Sequence, residues 1–219
     1  MKSDMKRITT LLILIIGAMM LASCSDVKNE NEISDRSDSS NQDINTIFET
    51  VCSAEEALEL SRKTDTVVFE NQGCTSGNEI WDSFYQTVMS GSPAKVLCAH
   101  YYILDKDHIS PELYEKEKDM YPTLFFSLIE YDGKEYSVKT RECSAQSLDY
   151  QNTFQHLLHF TGDAPSDTAL YSSYDNYVLV DDPAATMEGI WEGLISSQYN
   201  AGYKHYIAYE NYLGWKDGN

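Results

Sequence analysis

The sequence predicts an α+β fold: one domain with a mixed, largely antiparallel β-sheet and helices packed mainly on one face. Three observations carry this. First, two β-rich runs, Thr66–Glu70 and Ala94–Leu104, flank a helical stripe. In that stripe Trp81, Phe84, Tyr85, Val88 and Met89 fall at i, i+3, i+4, i+7 and i+8, so one helix face is apolar. Strand, helix, strand in this order is a βαβ crossover. Second, two β-rich runs meet at Asp132-Gly133, a two-residue hairpin signal. Third, the runs Phe154–Thr161, Tyr174–Asp181 and Tyr203–Glu210 add strands around one more amphipathic helix.

The chain opens with Lys2, Lys6 and Arg7, then an almost continuous apolar run from Leu11 to Met20, then Leu21-Ala22-Ser23-Cys24. A basic start, a short apolar middle and small residues before a cleavage point are the layout of a secretory signal. The run is about a dozen residues, short of the roughly 20 that a membrane-spanning helix needs. With Cys24 directly after the small residues, the segment resembles the lipobox of bacterial lipoproteins. That resemblance implies a thioether-linked diacylglycerol on Cys24 and cleavage before it. Residues 1–23 are then a signal peptide. The two acyl chains of the lipid hold the mature protein to the membrane, where one chain alone is marginal.

Residues 24–46 are dominated by Asn, Asp, Glu and Ser. So polar a segment buries too little to offset its ordering entropy and reads as a disordered tether. The folded domain is expected from 47 to 219, starting at Ile47-Phe48. Ser53-Ala54-Glu55-Glu56 is a capping-box pattern for a helix reaching Arg62. Asn71–Gly77 reads as a loop. Ser76 with Glu79 is a second cap, for the Trp81 helix, which Gly91 and Pro93 end. Pro111 begins a short charged helix. A two-residue loop at Asp132-Gly133 sets Tyr136 opposite Ile129 and Val138 opposite Ser127, leaving Glu135, Ser137, Lys139 and Arg141 on a wet face. Asp182-Pro183 is a cap followed by proline, for a helix burying Met187, Ile190, Trp191, Leu194 and Ile195 and stopped by Gly202. Leu213–Asn219 is expected to fray.

Composition narrows function by exclusion. The chain has 219 residues, with 16 basic and 35 acidic side chains and a net charge of −19. Removing the signal, with its three basic and one acidic residues, leaves −21. Such a surface repels nucleic acid and anionic lipid. Four cysteines follow Cys24: Cys52, Cys74, Cys98 and Cys143. An exported chain permits disulfides, and four cysteines allow three pairings, but a domain of this size needs no staple, so free buried thiols are the expectation. Their spacing fits no zinc pattern.

Candidate chemistry is sparse. Cys74, in Gly73-Cys74-Thr75-Ser76-Gly77, precedes a helix N-terminus and is the best candidate nucleophile, with His100 or His205 as bases. The loop lacks the endings of a phosphate loop or a nucleophile elbow. His156 and His159 sit in a β-rich run, where residues three apart point to opposite faces and cannot share a metal. Asp105-Lys106-Asp107 lacks the rest of a calcium loop. Sixteen tyrosines include Tyr101, Tyr102, Tyr174 and Tyr177, candidate stacking surfaces for a sugar or a protein partner.

The run Val67-Val68-Phe69-Glu70-Asn71, the Trp81/Phe84/Tyr85 helix and the Tyr131-Asp132-Gly133-Lys134 hairpin together resemble lipoprotein and secreted domains of Gram-positive anaerobes. The resemblance implies location and fold, with no activity or cofactor. The expectation is a membrane-anchored, extracytoplasmic lipoprotein with a non-catalytic binding domain for envelope polymer, peptide or surface protein. The alternative is a small hydrolase or thiol enzyme built on Cys74 and a histidine.

Overall fold

The computed structural model describes residues 43–71, 73–107, 109–195 and 202–216. The lipobox, Cys24 and nearly all of the polar segment behind it lie outside the described residues.

Helix α1 (Ile44–Glu49) begins inside the segment read as tether, with Asp43 accepting the Asn45 N–H and with Ile47 and Phe48 buried. Helix α2 (Ala54–Arg62) carries the expected capping box. Ser53 Oγ accepts from Glu56 N at 3.3 Å, and the Glu56 carboxylate accepts from Ser53 N at 3.0 Å. Strand β1 (Thr66–Glu70) follows. The expected loop after it holds a strand, β2 (Gly73–Ser76), folded back antiparallel on β1. The Thr75 hydroxyl fixes this return by donating to Glu70 Oε1 at 2.8 Å.

Helix α3 (Asn78–Met89) starts differently from the reading of the sequence. Its N-cap is Gly77 at φ 83°, and no side chain caps it. A Cβ at Gly77 would lie 2.6 Å from the Thr66 carbonyl oxygen. Close passage of backbone over β1 therefore selects glycine where a Ser76 cap was expected. Strand β3 (Ala94–Tyr102) then pairs parallel with β1, which completes the crossover.

Helix α4 (Pro111–Glu117) is capped by Ser110 and runs into a 3₁₀ turn, Lys118–Met120. Strands β4 (Thr123–Tyr131) and β5 (Tyr136–Glu142) form the hairpin, with Tyr136 opposite Tyr131 and Val138 opposite Ile129. The register is two residues away from the tight-loop reading. The Asp132 carboxylate accepts from Lys134 N at 2.8 Å and Glu135 N at 2.9 Å, which widens the loop to four residues. A shift of two keeps every side chain on its face. The second face of β5 is nonetheless not wet throughout: Arg141 is 2 % exposed.

The run read as one strand from Phe154 to Thr161 is divided between two sheets. Strand β6 (Tyr150–Phe154) ends the first, and β7 (His156–Asp163) begins the second. The break is at Gln155, whose N–H donates to the Val180 carbonyl at 3.2 Å. Strand β8 (Ser173–Val180), helix α5 (Met187–Ile195) and strand β9 (His205–Leu213) complete the described chain. Asp182 caps a turn at Ala184, and the helix proper starts at Met187; it buries Met187 and Ile190, while Leu194 and Ile195 of the expected stripe are exposed. The C-terminal stretch is held as far as Lys216, whose N–H donates to the Leu170 carbonyl at 2.8 Å.

The result is an α+β domain with a mixed six-stranded sheet, β2-β1-β3-β4-β5-β6, and an antiparallel three-stranded sheet, β7-β8-β9. One face of the large sheet packs on α1 and α2 through Ile47, Ala57, Leu58, Val68, Leu97 and Phe126. The other face packs on α3 and the small sheet through Phe69, Trp81, Phe84, Ile129, Leu179 and Tyr209. Outside the small sheet, Val178 and Val180 meet Met187 and Ile190 of α5.

Strand β9 crosses the large sheet strand by strand. Tyr206 donates to Ser127 of β4 at 2.7 Å. The Ala208 carbonyl meets Cys98 Sγ of β3 at 3.9 Å. The Tyr209 ring stands edge-on to Phe69 of β1 at 5.2 Å. Asn211 lies against Gly73 of β2. This crossing leaves the end of the large sheet near Tyr102 uncovered on one side of β9, and a cleft opens there.

Candidate functional site

The cleft holds about 380 Å³ between the two sheets. Strands β3, β4 and β5 supply its floor: His100, Tyr102, Phe125, Ser127 and Thr140. Strand β9 and α5 supply its wall: His205, Tyr206, Ile207, Glu210 and Leu194. The floor residues share a face because β3 and β4 pair His100 with Phe125, and β4 and β5 pair Ser127 with Thr140. Alternation along β3 then adds Tyr102 beside His100.

Burial sets the electrostatics. His100 is 8 % exposed, and its ring stacks on Phe69 at 4.6 Å. Its Nε2 is buried and has no hydrogen-bond partner among the described residues. Desolvation lowers its pKa to about 4, so at neutral pH the ring is uncharged. His205 Nδ1 lies 2.8 Å from the Tyr203 carbonyl. A carbonyl can only accept, so Nδ1 is the donor in this bond. Burial raises the Glu210 carboxyl above the ordinary carboxylate range. It has no ion-pair partner among the described residues. Burial also pushes the Tyr102 phenol up to about 12 and the Tyr206 phenol higher still. The cleft therefore presents an uncharged His100 imidazole, phenols and hydroxyls between aromatic walls, with one poorly solvated carboxyl.

The sequence-predicted candidates are dispersed. Cys74 is a free, half-buried thiol on β2 that donates to the Ser76 carbonyl at 3.5 Å. Burial pushes that thiol up, outweighing hydrogen bonds to Tyr209 and Ser76, so it is a weaker nucleophile than its place before a helix implied. Neither expected base reaches it. Phe69 pairs with Cys74 on one side and with His100 on the other, and so stands between them. His100 and His205, named as alternative bases, instead meet each other's neighbourhood in the cleft.

The four tyrosines form no common patch. Tyr101 packs toward α1 and α2, while Tyr102 lines the cleft on the opposite face of β3. Tyr174 packs edge-on against Trp191 at 5.0 Å. Tyr177, on the other face of β8, is 8 % exposed and stacks on His159 at 4.0 Å. His156 and His159 occupy β7, and His159 Nε2 meets Asp175 Oδ1 at 2.6 Å. Asp105 accepts from the Asp107 N–H at 2.9 Å. Among the described residues no three His, Cys, Asp or Glu side chains gather as metal ligands would.

Glu210, Ser127 and Thr140 were not singled out from the sequence. An acid within the tyrosine-rich run Tyr206–Tyr212 was the available signal for Glu210. Ser127 and Thr140 become visible only when the hairpin register is known. No family model, curated protein or solved structure matches the chain.

Proposed function

We propose that the protein is a membrane-anchored, extracytoplasmic lipoprotein whose domain binds, without transforming it, a neutral hydroxyl-rich ligand such as a sugar unit of an envelope polymer. The cleft is the ligand site. The single observation behind this is its lining: the uncharged His100 imidazole, whose buried Nε2 has no partner among the described residues, set with phenol and hydroxyl groups between aromatic rings. Hydroxyl groups satisfy such donors and acceptors, and a sugar's apolar face lies against Tyr102 and Phe125. The strongly acidic chain disfavours anionic ligands. Burial raises the Glu210 carboxyl, and a hydroxyl partner suits a poorly solvated carboxyl better than an anion does. A thiol enzyme on Cys74 is the weaker reading, because its thiol is raised and Phe69 separates it from His100.

The location rests on the lipobox. Attachment is assigned to Cys24 by the resemblance of Leu21-Ala22-Ser23-Cys24 to a lipobox; no helix among the described residues is long and apolar enough to cross a membrane. Cys24→Ala in cells should move the protein from the membrane fraction or leave an unprocessed precursor. Unchanged processing and retention would remove the lipidation proposal.

The ligand claim is tested by calorimetric titration of the full chain with a β-1,4-linked N-acetylglucosamine trisaccharide. Saturable binding is expected, weakened tenfold or more by Tyr102→Ala, about 1.4 kcal/mol. Equal affinity in the two proteins would place the ligand outside the cleft.

A further inference from the structure

Four cysteines allow three complete pairings, and the fold removes every pair but one. Cys52 and Cys143 lie on the face of the large sheet that packs on α1 and α2. Cys74 and Cys98 lie on the opposite face. The sheet itself therefore stands between any member of one pair and any member of the other. Cys74 and Cys98 share a face, but β1 runs between their strands. Two strand spacings are roughly 9.6 Å, beyond the limit of about 7 Å for bridgeable Cα atoms.

Cys52 and Cys143 are placed differently. The Cys52 N–H donates to the Cys143 carbonyl at 3.1 Å. A single N–H···O=C bond joins the two Cα atoms by a path of three covalent bonds and one hydrogen bond, which keeps them within roughly 7 Å, the limit for bridgeable Cα atoms. Both segments are also fixed from below by Arg141. Its guanidinium donates to the Phe48 and Thr50 carbonyls on one side and to the Glu142 carbonyl, at 2.9 Å, on the other.

We infer that Cys52 and Cys143 are a disulfide-forming pair, oxidised by thiol–disulfide exchange, while Cys74 and Cys98 remain free thiols. Cys52 is the more exposed of the two and attacks first. Its thiolate displaces one sulfur of a disulfide oxidant, giving a mixed disulfide and one released thiol. The Cys143 thiolate then attacks the Cys52 sulfur and releases the second thiol. Two protein thiols become one disulfide, the oxidant's disulfide becomes two thiols, and the two protein protons end on those thiols. The bridge ties the linker between α1 and α2 to the end of β5, closing a loop that contains β1 to β5. This inference is independent of what the cleft binds.

Trypsin separates the four cysteines, because Arg62, Lys95 and Lys106 or Arg141 fall between successive ones. The full chain is incubated with oxidised glutathione, alkylated under denaturing conditions and digested without reduction. Mass spectrometry should find the Cys52 peptide joined to the Cys143 peptide, with Cys74 and Cys98 alkylated. Reduction should lower Tm by about 10 °C, as expected for a large closed loop. Cys52→Ser should show no reductant-dependent shift. Alkylation of Cys52 and Cys143 after oxidation, or a bridge from either to Cys74 or Cys98, would overturn the assignment.

Discussion

Two buried polar residues show how far a side chain's role depends on what covers it. Arg141 sits in an alternating strand at a position that reads as solvent-facing. Its burial comes from α1 and the residue that ends it: the guanidinium donates to the Phe48 and Thr50 carbonyls. The Phe48 and Phe126 rings also flank it, each centroid 5.6 Å away. Nothing within strand β5 signals this, because the partner segment is some ninety residues away in sequence. His100 is the second case. In the unfolded chain its pKa is near 6.5, and in the fold burial lowers it to about 4. The unfolded state therefore binds the proton more readily between these values. The stability His100 contributes is complete above about pH 6.5 and is lost as pH falls toward 4, a loss of about 3 kcal/mol. Urea unfolding at pH 7 and pH 4 should show His100→Gln losing less stability than wild type by roughly that amount. Parallel losses in both proteins would mean that His100 is not the buried, uncharged group described.

At the scale of elements, local signals served best where local chemistry decides. The Ser53–Glu56 capping box, the α3 stripe except for the exposed Met89, and the strand–helix–strand crossover were all legible, because each is specified within a few turns of chain. Other features were not, three of them for reasons that lie outside the segment's own pattern. The hairpin register was misread because the Asp132 side chain opens the loop, a competitor to the two-residue turn. The division at Gln155 was invisible because a strand that changes sheets keeps its β-rich pattern through the break. The start of α3 was misassigned because Gly77 is chosen by the Thr66 backbone across from it rather than by capping. This last point has a measurable consequence. Gly77→Ala forces a Cβ into the Thr66 carbonyl at a positive φ, and should cost about 2 kcal/mol or more in denaturant unfolding. A loss within about 0.5 kcal/mol, typical of a neutral surface change, would show that β1 and the α3 start can separate easily.

For the molecule as a whole, the cleft is a product of two sheets crossing, and no single segment announces it. Its members come from β3, β4, β5, α5 and β9, so only their neighbourhood in space gives them meaning. Of the residues singled out from the sequence, Tyr102, His100 and His205 belong to it, and the last two had been read as helpers for a thiol that lies elsewhere. The proposed sugar site follows from this convergence, and the most direct test observes the imidazoles themselves. The chain has five histidines, so ¹³C labelling at histidine Cε1 gives five resonances. On titration with the N-acetylglucosamine trisaccharide, the signals of His100 and His205 should shift together and saturate, while those of His156 and His159 stay in place. Movement of His156 or His159 alone, or no movement of any of the five, would contradict the cleft as the ligand site.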